Sequence, residues 1–324
     1  MTEKLTQEQV WKFIELGDED FDLESLRARH EISPESSTFY TAISRFLAEK
    51  KLRRLGRGRY HRIKKVSPIN VFGEPLSEPY QLIFPRCFET MMEMDFADDL
   101  VIREGDLILI SGQSNYFKTG MCLNFAGENI HTEPVLMGNE YTTLENKPTP
   151  RFMNRIKNMD WIQWQDDNGK QRFILLPVRS DYAEHIIKDR INIIDWINID
   201  TGEHYMIGTI MESIKRELGK GIGIIAIQKS KGAEAGRGGQ FTKDFADVEI
   251  LLDNLPESDD ILLTLGKVKE SKKKVMGRTF AFNVFQGVKI MNFREVIKCK
   301  DCFGKGWKFQ KPCDTCGKSG FVDK

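Results

Sequence analysis

Gly112 to Thr119 reads GQSNYFKT and follows the apolar run Leu107 to Ile110. A glycine opens the turn, and Lys118-Thr119 begin a helix carrying Met121, Leu123, Phe125 and Ala126. A buried strand, a glycine turn and a helix opening on Lys-Thr have the layout of a phosphate-binding loop. Backbone N–H groups in such a loop wrap the phosphates, and the helix N-terminus adds positive potential. The lysine reaches the β/γ-phosphates and the hydroxyl beside it holds Mg²⁺. Gly112, Gln113, Ser114, Asn115, Tyr116, Phe117, Lys118 and Thr119 are therefore the expected nucleotide contacts. They fit G-x-x-x-x-G-K-[ST] at every fixed position but one. Phe117 replaces the second glycine, where a side chain crowds the backbone or must accept φ > 0. An ordinary strand–turn–helix has the same outline.

Other segments supply what such a loop needs. Arg190 to Asp200 holds a second apolar strand, and Asp195 follows Ile193-Ile194. A carboxylate at the end of a buried parallel strand is where a phosphate-loop enzyme orders Mg²⁺. Residues 204–218 show helical spacing through Tyr205, Ile207, Ile210, Met211, Ile214 and Leu218. Gly221 to Gly232 is a third buried strand ending in Gln228-Lys229. Strands alternating with helices imply an α/β fold, a parallel sheet with helices on both faces. Ligands of such sheets bind beyond the strands' carboxyl ends, where Thr119, Asp195 and Gln228 all fall.

This order resembles the RecA-like ATPases, most closely the DnaB-type helicase and phage ATPase branch, over residues ~100 to ~292. GDLILISG…KT…LNFA is similar to that branch's first strand and phosphate-loop helix. VLMGNEY (135–141) resembles its second strand, which implies that Glu140 activates the attacking water. NIIDWI resembles the strand that pairs Asp195 with Thr119 on Mg²⁺, and IIAIQK the strand ending in a phosphate-sensing glutamine, Gln228. TLGKVKES (264–271) is similar to the strand carrying a K-x-R pair that reaches a neighbouring subunit's nucleotide. The pair here is Lys267 and Lys269, and lysine lacks arginine's bidentate fork. The resemblance implies ATP hydrolysis between subunits of a homo-oligomeric ring or filament. It also implies that the glycine-rich stretch 229–248 meets single-stranded DNA through Lys231 and Arg237. A flexible surface loop is the plainer reading of that stretch.

Upstream, charge separates a second module. Residues 1–52 hold seven Lys/Arg against eleven Asp/Glu, and residues 53–65 hold seven basic residues and no acidic one. Helices are expected over Gln7–Leu16, Asp22–His30 and Glu35–Lys51, followed by a hairpin from Leu52 to Ile63. Three helices and a basic hairpin resemble a winged helix–turn–helix over residues 1–66. That resemblance implies duplex DNA contacts from Arg45 on the third helix and from Arg53, Arg54, Arg57 and Arg59 on the hairpin. A winged helix that binds protein is the competing reading. A proline-rich linker (67–80) then leads to the core (81–293).

Residues 294–324 contain Cys299, Cys302, Cys313 and Cys316. Two C-x₂-C pairs, each followed by glycines, suit a closed tetrahedral site for structural Zn²⁺. Two disulfides or a redox pair are the alternative. The C-x-x-C-x-G-x-G form is similar to DnaJ cysteine-rich repeats. Trp307 and Phe309 lie between the pairs, where they either stack on single-stranded bases or pack against the core. Cys87 and Cys122 stand alone and suit buried positions.

Composition sets the limits. The 324 residues are 40% hydrophobic and 30% charged with no net charge, as in a soluble multidomain protein. No apolar segment approaches the roughly 20 residues that span a bilayer, and no signal sequence opens the chain, so no membrane partner and a cytoplasmic location are expected. The expected activity is a DNA-dependent ATPase, helicase-like or a loader, in phage or mobile-element DNA replication or recombination. The competing class is a non-catalytic DNA-binding adaptor that uses the RecA-like core as an oligomerisation scaffold.

Overall fold

Strand and helix signals from the sequence resolve into two separate units. The computed structural model describes residues 5–64, 66–73, 77–197, 206–229 and 240–324, and the chain divides at Leu76/Ser77.

The first unit contains α1 (Gln7–Glu15), β1 (Asp20–Asp22), α2 (Leu23–Arg29), α3 (Ser37–Ala48), β2 (Leu52–Gly56) and β3 (Arg59–Arg62). Each helix starts on a side-chain cap. Thr6 and Gln9 form a reciprocal box on α1, Asp22 accepts from two N–H groups of α2, and Ser36 caps α3. The apolar stripes of these helices close on Val10, Ile14, Leu26, Phe39, Ile43 and Phe46, with Leu52 and Tyr60 from the hairpin. The strands form an antiparallel sheet ordered β1-β3-β2. β1 has no counterpart in the sequence reading, because three residues are too few to show a period of two. Its pairing of Phe21 with Tyr60 anchors it.

The second unit is α/β and is built on a ten-stranded sheet. Its elements are β4 (Leu107–Gly112), α4 (Lys118–Glu128), β5 (Val135–Met137), α5 (Pro150–Asn158), β6 (Ile174–Leu176), β7 (Ile191–Ile194), α6 (Met206–Glu217), β8 (Ile222–Gln228), α7 (Gln240–Phe245), β9 (Val248–Asn254), β10 (Ile261–Val268), β11 (Thr279–Phe285), β12 (Lys289–Lys298), the short β13 (Trp307–Lys308) and β14 (Lys311–Pro312), and β15 (Phe321–Asp323). The sheet order is β15-β12-β11-β10-β9-β4-β8-β7-β5-β6. From β9 through β6 every pairing is parallel, and from β9 out to β15 every pairing is antiparallel.

The central strands β4, β7 and β8, apolar except for Ser111, Asn192 and Gln228, are buried on both faces. Ile108 and Ile110 of β4 pack with Met121, Leu123 and Phe125 of α4, whereas Leu107 and Leu109 pack with Ile207, Met211 and Ile214 of α6. This alternation puts helices on opposite sides of one sheet. The lead-in joins the α4 side through Phe84, Met94, Phe96, Leu100 and Ile102. Asn129 holds it there, accepting from Ile83 N at 3.0 Å and donating to Ile83 O at 2.7 Å. β12 spans residue 294, and its pairing with β15 ties the cysteine segment to the sheet edge. Among the described residues, no helix is long and apolar enough to cross a membrane.

Candidate active site

β4 sits between β8 and β9, with Gly112 opposite both Gln228 and Leu252. The carboxyl ends of the parallel strands are therefore level, and the 113–117 loop emerges among them. Gly112 has little room for a side chain, since a Cβ would lie 3.1 Å from Leu252 Cβ. Lys118 folds back so that Nζ donates to Gln113 O at 2.6 Å. Gln228 Nε2 donates to Ser114 Oγ at 2.8 Å, fastening the loop to β8. Tyr116 packs against the core, half-buried.

Phe117 takes the backbone conformation that the sequence demands of a glycine. Its φ is 61° and its ψ 12°, left-handed, and Asn115 has φ 68°. The ring lies against the bare Cα of Gly120 and the ring of Phe282, centroids 5.6 Å apart. The loop so keeps the curvature of a glycine turn.

A pocket of about 390 Å³ opens over the loop. Ser114, Asn115, Phe117, Lys118, Thr119, Glu140 and Gln228 line it, together with Arg151, Arg155 and Trp196. β10, β11 and the turn after it complete the wall with Ile261, Val284 and Gly287. Arg151 and Arg155 belong to α5, whose start is fixed by the Thr149 cap and Pro150. Their four-residue spacing on a helix puts both on one face, a signal that the sequence reading passed over. Arg155 Nη1 stands 3.9 Å from Glu140 Oε2.

Asp195, directly after β7, is wholly buried beneath this pocket. Among the described residues neither carboxylate oxygen makes a hydrogen bond of regular geometry, although the Thr119 hydroxyl stabilises the ionised form from beside it. Burial pushes the Asp195 pKa up to about 6, Thr119 opposes that, and Glu140 adds to it. Among the described residues Tyr141 Oη and Arg155 Nη1 likewise make no hydrogen bond of regular geometry, although Tyr141 interacts with Asp195 and Arg155 faces Glu140. Burial also lowers the Lys118 pKa, against the pull of Asp195. Orphaned oxygens next to a hydroxyl suit a hard divalent cation with oxygen ligands. Lys118, Arg151 and Arg155 suit an anion held above it.

The remaining site residues lie elsewhere. Lys267 and Lys269 are at the opposite end of the sheet, because β10 runs against β9 and pairs Lys267 with Glu249. Lys267 Nζ donates to Lys243 O at 2.5 Å, and Lys269 Nζ to Asp247 Oδ1 at 2.9 Å. Lys215 shares Asp247, which also accepts from Leu107 N at 2.8 Å. Lys231 and Arg237 fall outside the described residues. In the first unit Arg53, Arg54, Arg57 and Arg59 are exposed on the β2–β3 hairpin. Arg45 is exposed on α3 and donates to Gln7 Oε1 at 2.9 Å.

The four C-terminal cysteines converge. All their sulfurs lie within 4.8 Å of one another, with Cys299 and Cys313 3.9 Å apart and Cys302 and Cys316 3.6 Å apart. Tetrahedral Zn–S bonds of about 2.3 Å require thiolates about 3.8 Å apart. Gly306 N and Gly320 N each donate to a sulfur, of Cys302 and Cys316, at 3.3 Å. These bonds stabilise thiolates, so the cluster can hold a metal ion.

No protein family matches this chain, and no curated protein does.

Proposed function

We propose that the second unit is a RecA-like, DnaB-type ATPase that hydrolyses ATP with Mg²⁺, working on DNA as part of a homo-oligomer in phage or mobile-element replication or recombination. The observation that carries this reading is a convergence. Four segments far apart in sequence, at 114–120, 140, 195–196 and 228, meet at the carboxyl ends of adjacent parallel strands around one pocket. Its volume is within the roughly 300–1,000 Å³ of small-molecule sites.

In this mechanism the loop N–H groups and the α4 N-terminus cradle the triphosphate, and Lys118 exchanges its bond to Gln113 O for phosphate oxygens. Thr119 and Asp195 would hold Mg²⁺, which when bound would neutralise phosphate charge. Glu140, released from Arg155, orients the attacking water. Gln228 bridges the phosphate end of the site to the segment that follows β8. Lys267 and Lys269, remote from their own pocket, serve a neighbouring subunit's nucleotide. We further assign the first unit as a winged helix that contacts duplex DNA through its hairpin arginines, and the cysteine cluster as a structural zinc site.

The test is steady-state ATP hydrolysis by the full chain, with and without single-stranded DNA. Turnover lost in Lys118→Ala, and reduced about 10²–10⁴-fold in Glu140→Gln with nucleotide binding retained, supports the assignment. Nucleotide binding without turnover in the wild type overturns the enzyme in favour of an ATP-binding adaptor.

A further inference from the structure

The two knuckles of the cysteine module superpose in sequence as CKDCFGKG (299–306) and CDTCGKSG (313–320). Their backbones repeat as well. Gly306 and Gly320 have φ of 74° and 77° and donate to equivalent sulfurs. The residue after the second cysteine is left-handed in both, with φ 53° at Gly317 and 55° at Phe303. Glycine adopts that conformation freely, and a bulky aromatic does so only at a cost. Phe303 also gains nothing by burial, being 82% exposed.

The hairpin between the knuckles repeats the anomaly. Its two turn residues, Phe309 and Gln310, have φ of 49° and 63°, a pair of positive angles that favours Asn-Gly. Phe309 is 90% exposed, and Trp307 is 49% exposed. The sequence left open whether these aromatics pack on the core, and their exposure excludes it. Two phenylalanines therefore occupy strained, solvent-facing positions where glycine or asparagine folds better. Strain kept at exposed side chains points to use of those side chains.

The surroundings identify what they meet. Lys305, Lys308 and Lys311 are exposed and make no ion pair among the described residues. Lys318 takes the left-handed position (φ 70°) next to Gly317, with Nζ 5.6 Å from the Trp307 ring centroid. Rings interleaved with unpaired cations match bases joined by phosphates.

We propose that Phe303, Trp307 and Phe309, with Lys305, Lys308, Lys311 and Lys318, form a binding site for single-stranded nucleic acid, in which unpaired bases stack on the rings and the ammonium groups meet the phosphates. The site stands on observations separate from the nucleotide pocket, and its test uses no nucleotide.

The measurement is fluorescence anisotropy of a labelled oligothymidylate of about 20 nucleotides. The protein is the zinc-loaded full chain carrying Arg57→Ala and Arg59→Ala, so that the hairpin cations of the first unit do not mask the effect. Adding Phe303→Gly and Phe309→Gly should weaken binding about tenfold or more with thermal stability unchanged or raised. The Tyr pair at the same positions should retain affinity. An abasic strand of the same length should bind no better than thymidylate binds the glycine variant, and an oligouridylate shows whether RNA is accepted too. Equal affinity of the glycine and phenylalanine proteins, or of the abasic and thymidylate strands, overturns the proposal.

Discussion

The Phe117 ring occupies the space that a side chain at Gly120 would need. A Cβ at position 120 would lie 2.8 Å from Phe117 Cζ and closer still to Cδ2 and Cε2. The departure from the glycine pattern at 117 is thus matched by a glycine one helical turn later. The two positions should be energetically coupled. Gly120→Ala should destabilise the chain by about 1–3 kcal/mol through overpacking. In a Phe117→Gly background the same change should be near neutral or favourable, since alanine is the better helix former. Urea unfolding of the four proteins gives the coupling, expected to exceed about 1 kcal/mol. Additive effects would remove this account of how the loop accommodates Phe117.

Asp195 should make the nucleotide-free protein weaker at neutral pH. Its pKa in the fold, about 6, lies above the ordinary 3.8, so the folded state holds the proton more tightly than the unfolded chain. The contribution is fully present below about pH 4 and is lost as pH rises through 6, to the extent of roughly 3 kcal/mol. Asp195→Asn should flatten this part of the pH–stability curve and raise stability at pH about 8, while abolishing turnover. Unfolding of wild type and variant in metal-free buffer on either side of pH 6 is the check. An equal response to pH in both proteins would contradict the placement of this carboxylate.

The parallel sheet was legible because β4 and β8 are nearly continuous apolar runs and β7 is broken only by the buried Asn192, the pattern of strands buried on both faces. Thr119, Glu140, Asp195 and Gln228 were legible because each ends such a run or lies just beyond it. Of the antiparallel half, a hairpin turning at residues 272–274 between Leu265 and Phe280 could be read, and β10 pairs with β11 there. The rest could not, since β10 to β12 mix exposed and buried residues and their register depends on long-range pairing. Arg151 and Arg155 escaped notice for a related reason. Nothing local marks a short amphipathic helix as the wall of a distant pocket. Phe303 and Phe309 could be seen as aromatic, but their positive φ angles exist only once the cysteines have turned the chain.

Metal removal should act locally. The sulfur cluster sits between β12 and β15, and the ten-residue β12 has its other partner, β11, for most of its length. A purified chain should contain one zinc. Chelation, or Cys302→Ser, should release it and expose amides of 299–323 to hydrogen exchange, because structural zinc binding is itself folding free energy. Protection of β4, β8 and β9 should persist. Retained protection of the knuckle after metal release would show that the thiols hold together by other means.

The hairpin of the first unit should set its salt response. Arg53, Arg57 and Arg59 are exposed and make no ion pair among the described residues, so their charges are free to displace counterions from a phosphate backbone. Each such contact contributes about 0.9 to the slope of log affinity against log salt. Arg57→Ala with Arg59→Ala should weaken duplex DNA binding at low salt and reduce that slope by about 1–2. Stability should be unaffected, because neither side chain enters the cluster of Phe39, Phe46 and Tyr60. Titrations of wild type and double variant at two salt concentrations decide it. An unchanged slope would remove duplex DNA as the ligand of this hairpin and leave the first unit as a protein-binding module.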